Sequence, residues 1–172
     1  MKKTFLFLFV AALVLGSCQT KPEVKPVDTA AEKAKLDSLF TIFNNSFNQK
    51  DVTTIAGNLS ENLAAWGTDP SEFWPKKNLV DEWTKMFADT AVHINYTVEK
   101  REINVAPDGN SAMVVEQYVM PSVSKKLWIR TIYHTIKADN KWMIDFISWN
   151  FLTKNEDVAV VDKALAVPMA KK

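Results

Sequence analysis

Apolar residues recur at spacings of three and four over Leu36, Leu39, Phe40, Phe43 and Phe47, which predicts a helix from about 31 to 49 that buries a Phe/Leu stripe. Asp51 stands where an N-cap would, and Val52, Ile55 and Leu59 share one face of a short second helix expected to end near Ser60. Gly67-Thr68-Asp69-Pro70 is turn chemistry. Pro75 suits the first turn of a third helix, whose buried face is marked by Leu79, Val80, Trp83, Met86 and Phe87.

From Val92 the period becomes two. Val92, Ile94, Tyr96 and Val98 alternate with polar residues, His93 among them, as in a half-buried strand. Past Lys100 the apolar phase moves to odd numbers at Ile103 and Val105, a one-residue slip that predicts a β-bulge near Lys100. Pro107-Asp108-Gly109-Asn110 reads as a hairpin turn, followed by strands over 112–120, 126–137 and 141–150. A last segment, 155–167, carries Val158, Val161, Ala164 and Leu165 at helical spacing. Helices followed by an antiparallel meander imply an α+β domain with helices on one face of a sheet.

Composition adds exclusions. The 172 residues allow one ordinary domain plus its ends. A formal charge of +1 provides no basic field for nucleic acid, four Gly argue against a phosphate cradle, and two His with one Cys supply neither a metal centre nor a disulfide framework. No cofactor is expected. Walker, HExxH, CxxC and nucleophile-elbow motifs are all missing.

The N-terminus places the protein. Lys2 and Lys3 precede an apolar run from Phe5 to Leu15, too short for a permanent span and of signal-peptide form. The single cysteine follows at once, and Leu15-Gly16-Ser17-Cys18 resembles the bacterial lipobox, in which the thiol takes a diacylglycerol and becomes the new N-terminus. The expected organisation is a lipoprotein signal peptide (1–17), a Pro-containing tether (18–30), a domain (31–151) and a C-terminal helical extension (152–172), with a lipid anchor on Cys18 holding the protein to a membrane of the cell envelope.

Gly67-Thr68-Asp69-Pro70-Ser71-Glu72-Phe73-Trp74, the Arg130 to Trp142 spacing and Lys141-Trp142-Met143-Ile144-Asp145-Phe146-Ile147-Ser148 resemble the SnoaL-like branch of the NTF2-like (cystatin-like cone) superfamily, over roughly 32–151. The resemblance implies a curved antiparallel sheet wrapped around the long first helix, with two further helices and a pocket between helices and sheet. It also implies that Trp142, Ile144, Phe146, Ser148 and Asn150 face that pocket. Many relatives place a His where this chain has Ser148. The superfamily holds isomerases, cyclases, dehydratases and plain ligand binders, among which fold alone does not choose.

Hairpin arithmetic proposes the site. A loop centred on Val123 places Glu116 across from Arg130 and Tyr118 across from Trp128. A three-residue turn at Ala138-Asp139-Asn140 adds Ser148 opposite Arg130 and Asn150 opposite Trp128. Glu116 in an apolar run is then either half of a cross-strand ion pair with Arg130 or a ligand-anchoring or acid/base carboxylate. A two-residue Asp139-Asn140 turn would instead set His134 beside Asp145, a carboxylate-oriented imidazole. Trp66, Trp74, Trp83, Trp128, Trp142 and Trp149, with Tyr96 and Tyr118, are too many for one core stripe, so some are expected to line a cavity, with core packing the expected role of Trp83 and Trp142. Trp66, Tyr118, Trp128 and the pocket-facing Phe146 are the aromatic ligand-binding candidates. The leading expectation is noncatalytic binding of a small apolar or aromatic ligand. The alternative is a cofactor-independent isomerase or dehydratase with Glu116 or Asp145 as base and Tyr118 or Arg130 stabilising negative charge. A third reading is a homodimer through the outer face of the sheet.

Overall fold

The computed structural model describes residues 27–166. The leader, Cys18 and most of the tether lie outside the described residues, as do 167–172. Helix α1 (Thr29–Asn48) begins within the sequence-assigned tether because the Asp28 carboxylate caps it, accepting from the Ala30 and Ala31 amides at 3.1 and 3.0 Å. Its stripe behaves as the spacing requires: Leu36, Phe40, Phe43 and Phe47 are buried. The rings of Phe40 and Phe43 lie 4.7 and 6.1 Å from that of Tyr133 in the sheet, so α1 packs across the sheet's inner face.

Asp51 caps α2 (Val52–Gly57), which ends before Ser60 because the chain turns at Asn58 into a strand the sequence pattern had not suggested, β1 (Leu59–Trp66). A short β2 (Phe73–Pro75) leads into α3 (Lys76–Ala88), whose Leu79 and Trp83 are buried. The meander follows as β3 (Val98–Val105), β4 (Ser111–Tyr118), β5 (Trp128–Ala138) and β6 (Lys141–Leu152). A 3-10 turn (Asn155–Asp157) and α4 (Val158–Leu165), which buries none of its residues, close the described chain. No helix among the described residues is long and apolar enough to cross a membrane.

The six strands form one sheet in the order β2-β1-β6-β5-β4-β3. It is not wholly antiparallel, because β1 pairs parallel with β6. The segment from Val92 buries Ile94 and Tyr96 as the alternation requires, yet joins the sheet ladder only at Val98. Before that point the Asn48 side chain from α1 substitutes for a neighbouring strand, donating to the Tyr96 carbonyl at 3.0 Å and accepting from its amide at 3.2 Å. The bulge near Lys100 is present: Val98 pairs with Tyr118 and Lys100 with Gln117, leaving Glu99 without a partner.

Two registers differ from the hairpin arithmetic. On β4 and β5, Glu116 stands opposite Thr131 and Tyr118 opposite Ile129, so Arg130 pairs with Gln117 on the outer face. On β5 and β6 the turn has two residues, Asp139 and Asn140, both left-handed with φ of 49° and 61°. A bulge then omits Asp145 from the ladder, since Thr135 pairs with Ile144 and His134 with Phe146. One inserted residue exchanges the faces of everything beyond it. Trp142 and Ile144 point inward as expected, but after the bulge Ile147 and Trp149 take the inner face. Phe146, Ser148 and Asn150 take the outer face, opposite His134, Ile132 and Arg130.

Candidate functional site

Two arrangements occupy the space between the helices and the sheet. The first is a buried polar cluster around Glu116, which is 0% exposed. Its carboxylate accepts from Arg101 Nε at 2.7 Å, from Asn44 Nδ2 at 3.0 and 3.1 Å and from the Tyr133 hydroxyl at 3.4 Å. Arg101 reaches it because the Glu99 bulge turns Arg101 inward, directly opposite Glu116 on β3. The guanidinium also donates to Asp37 Oδ1 at 2.7 Å and Thr41 Oγ1 at 3.1 Å on α1. Asn44 in turn accepts from the Tyr96 hydroxyl at 2.7 Å.

Burial pushes the Glu116 carboxyl above the usual range, while Arg101, Asn44 and Tyr133 pull it back. Every contact to it is a donor, the surroundings of an ionised carboxylate. Burial also raises Tyr96 and Tyr133 well above the ordinary phenol value, and pushes Tyr118 up to about 12. All three stay protonated near neutral pH. The cluster is closed on itself, and its members are spent on one another.

The second arrangement is a cleft of about 300 Å³. Its walls come from the end of α1, the turn after β1, β2, α3 and the inner faces of β4, β5 and β6. Trp74, Leu79, Trp83, Met86, Tyr118 and Trp149 form the apolar part. Trp83 meets Phe47 at 5.2 Å and Trp149 at 6.2 Å, both edge to face. Inside, Tyr118 and Thr131 satisfy one another through hydroxyls 2.8 Å apart. Glu72 and Glu82 line the cleft as well.

Of the ligand-binding residues proposed from the sequence, Glu116 and Tyr118 face inward, but only Tyr118 lines the cleft, whereas Trp74, Trp83 and Trp149 of the wider aromatic set line it as well. Arg130 does not meet Glu116; Arg101 does. Trp128, Arg130, Phe146, Ser148 and Asn150 lie on the outer face because of the two registers described above, and Trp66 lies there beside Ser148, its partner in the parallel pairing of β1 with β6. Trp66 and Trp128 are 48% and 40% exposed, Trp66 stacking on Phe73 at 4.8 Å. His134 and Asp145 do come together, Nδ1 to Oδ1 at 2.7 Å, because the bulge frees Asp145 from the ladder. That pair lines no part of the cleft. His93 is exposed. No three His, Cys, Asp or Glu side chains gather among the described residues as a metal site would need.

The fold and the sequence both point to relatives. The family model described as a SnoaL-like domain matches residues 36–148. The chain belongs to the SnoaL-like domain family. This SnoaL-like domain spans α1 to β6, and the family has ligand-binding pockets and some isomerase and cyclase members. Solved structures similar to it include an NTF2-like protein of unknown function from Pseudomonas putida KT2440, with 14% identity, TM-score 0.63 and coverage of 75% of this chain and 92% of that one. A domain of unknown function with a cystatin-like fold from Nostoc punctiforme PCC 73102 shares 15% identity with TM-score 0.62, covering 81% and 88%. An NTF2-like protein from Cytophaga hutchinsonii ATCC 33406 shares 10% identity with TM-score 0.59, covering 70% and 98%. At such identities these likenesses show the NTF2-like, cystatin-like fold. No curated protein matches the sequence.

Proposed function

We propose that the protein is a noncatalytic binder of a small apolar or aromatic molecule, displayed at the bacterial cell envelope by a lipid on Cys18. The cleft carries this reading. Its volume of about 300 Å³ is at the small end of ligand pockets, and its inner walls are aromatic and aliphatic with the Tyr118 hydroxyl already paired. An isomerase or dehydratase needs a base within hydrogen-bonding reach of the substrate proton. Glu116 is enclosed by its own donors, and the His134–Asp145 pair faces the other way, so that alternative rests on the cleft carboxylates Glu72 and Glu82 alone.

The test is titration of the purified protein with the neutral fluorophore N-phenyl-1-naphthylamine. Saturable binding should weaken at least about tenfold in Met86→Lys, which places a charge in an apolar wall, and persist in Trp128→Ala on the outer face. Binding lost in Trp128→Ala and kept in Met86→Lys would move the site to the outer face. The anchor is tested separately. The lipobox-like Leu15-Gly16-Ser17-Cys18 supports lipidation, and Cys18→Ser should shift the protein from the membrane to the soluble fraction; unchanged membrane partitioning would refute it. Exposed Trp66, Phe73 and Trp128 support a companion reading, self-association through the outer face, which light scattering of the purified protein decides.

A further inference from the structure

We propose that the cleft selects a ligand carrying a positive charge on its aromatic or apolar body, an organic amine or quaternary ammonium. The inference rests on the cleft being the binding site and names the chemistry of its occupant. No Lys, Arg or His lines the cleft, whereas Glu72 and Glu82 both do. The whole chain is formally +1, so any preference for a cation has to arise locally.

Glu72 is held in place by the turn that precedes β2. Its amide donates to the Asp69 carbonyl at 3.0 Å, its carbonyl accepts from the Gly67 amide at 3.1 Å, and its Oε2 accepts from the Asp69 amide at 3.0 Å. Its Oε1 receives no hydrogen bond among the described residues. A Cβ at Gly67 would stand 2.6 Å from Glu72 Cβ and 2.8 Å from its carboxyl carbon, so the carboxylate folds over this turn only because position 67 is glycine. Glu82, on α3, has Lys85 at 2.7 Å as its one polar side-chain partner among the described residues. Both members of that pair are more than half exposed, and such surface pairs yield readily to a competing cation.

Carboxylates beside Trp74, Trp83 and Trp149 match the two attractions that hold organic cations, direct charge pairing and the ring quadrupole. A neutral ligand covering Glu72 would strip water from its free oxygen and return at most one hydrogen bond, with no charge to offset that of the carboxylate. An ammonium supplies the missing counter-charge, and an anion is repelled.

The experiment uses three probes sharing one ring system: (1-naphthylmethyl)trimethylammonium, 1-naphthylmethanol and 1-naphthylacetate, titrated calorimetrically into the purified protein at low salt. The ammonium should bind at least about tenfold more tightly than the alcohol, with the acetate weakest, and the preference should shrink with added salt. In Glu72→Gln/Glu82→Gln it should approach unity, with an unchanged urea midpoint showing that the variant is folded. Gly67→Ala, which displaces Glu72, should lower it in part. Equal binding of ammonium and alcohol, or a preference that survives the double variant, overturns this inference and leaves the apolar cleft standing. Failure of all three probes and of N-phenyl-1-naphthylamine overturns the cleft as the site.

Discussion

Replacing Arg101 should damage the fold more than replacing Glu116, and the two losses should be strongly coupled. At 2.7 Å and an effective dielectric constant near 20, the gross attraction between the charges is about 6 kcal/mol. Desolvation of the two ions costs several kcal/mol each, so the intact pair is worth little net while either half left alone is expensive. The structure makes the halves unequal. In Glu116→Gln, Arg101 keeps Asp37 and Thr41 and remains 15% exposed, which limits the loss to about 2 to 3 kcal/mol. In Arg101→Met, Glu116 keeps only neutral donors at 0% exposure, and the loss should reach about 3 to 5 kcal/mol. The double variant should cost less than the two losses together by about 1.5 to 3 kcal/mol.

The assay is urea unfolding, read as a shift of midpoint at unchanged slope. Arg130→Met, on the outer face, should cost within about 0.5 kcal/mol and add simply to Glu116→Gln. Arg101→Met also carries a pH signature. Burial already raises the Glu116 carboxyl above 4.5, and losing the guanidinium removes the strongest of the groups that pull it back, leaving Asn44 and Tyr133. A carboxyl raised in the folded state binds more protons there. The variant should therefore be unimpaired by this group below about pH 4.5 and lose stability as pH climbs through the folded value, by up to about 1.4 kcal/mol per pH unit. Coupling below about 0.5 kcal/mol between Glu116 and Arg101, or coupling of Glu116 to Arg130 instead, would refute the register of β3, β4 and β5 as described.

Three further outcomes follow from other parts of the fold. Phe43→Ala, at a site only 2% exposed on the helix stripe, should cost about 3 to 5 kcal/mol in urea unfolding, and a loss under about 1 would mean that the stripe does not pack on the sheet. Glu32 accepts from Lys137, Lys35 and Trp142 at 2.8, 2.9 and 2.8 Å, and these donors, Lys137 foremost, depress its carboxyl from 4.5 to about 2. Its contribution is complete above about pH 4.5 and is lost as pH falls toward 2, so a Glu32→Gln variant should lack about 1 to 3 kcal/mol of the acid-limb decline; identical acid limbs would show that the carboxylate is not engaged. At Asn140, with φ of 61°, the alanine variant should unfold about 1 to 2 kcal/mol more easily than the glycine variant, and equal midpoints would argue against the left-handed turn.

The parts of the fold legible in sequence were those governed by local period. Leu36, Phe40, Phe43 and Phe47 are buried because a helix brings every third or fourth residue to one face. The slip between Val98 and Ile103 announced the Glu99 bulge for the same reason. Strand β1 left no such trace: its burial alternates irregularly, its ladder with β6 breaks between Leu59 and Ala64, and its partner lies some eighty residues away with no turn to mark the pairing. The partner of Glu116 was within reach. A hairpin centred between Asp108 and Gly109 puts Arg101 opposite Glu116, and the odd phase of Ile103 and Val105 already turns Arg101 inward. The loop around Val123 was the weaker guide, because a long loop does not fix register as a tight turn does, and the pairing it gives Glu116 misses the observed partner, Thr131, by one residue.

The bulge at Asp145 links the lost register to the character of the cleft. Without it, Ser148 and Asn150 would continue the inward parity of Trp142 and Ile144 and give the cleft a polar floor. With it, Ile147, Trp149 and Phe151 turn inward, and Trp149 and Phe151 line the cleft. The residue expelled from the ladder is not left unsatisfied, since its carboxylate takes the Nδ1 of His134 on the outer face. That contact compensates in part for the ladder hydrogen bonds the bulge forgoes. The imidazole–carboxylate pair therefore has a structural account that needs no catalysis, and the aromatic floor it helps to set is the feature on which the proposed ligand binding depends. The same one-residue insertion thus took Ser148 out of the cleft and put Trp149 into it, which favours binding over acid/base chemistry from this strand.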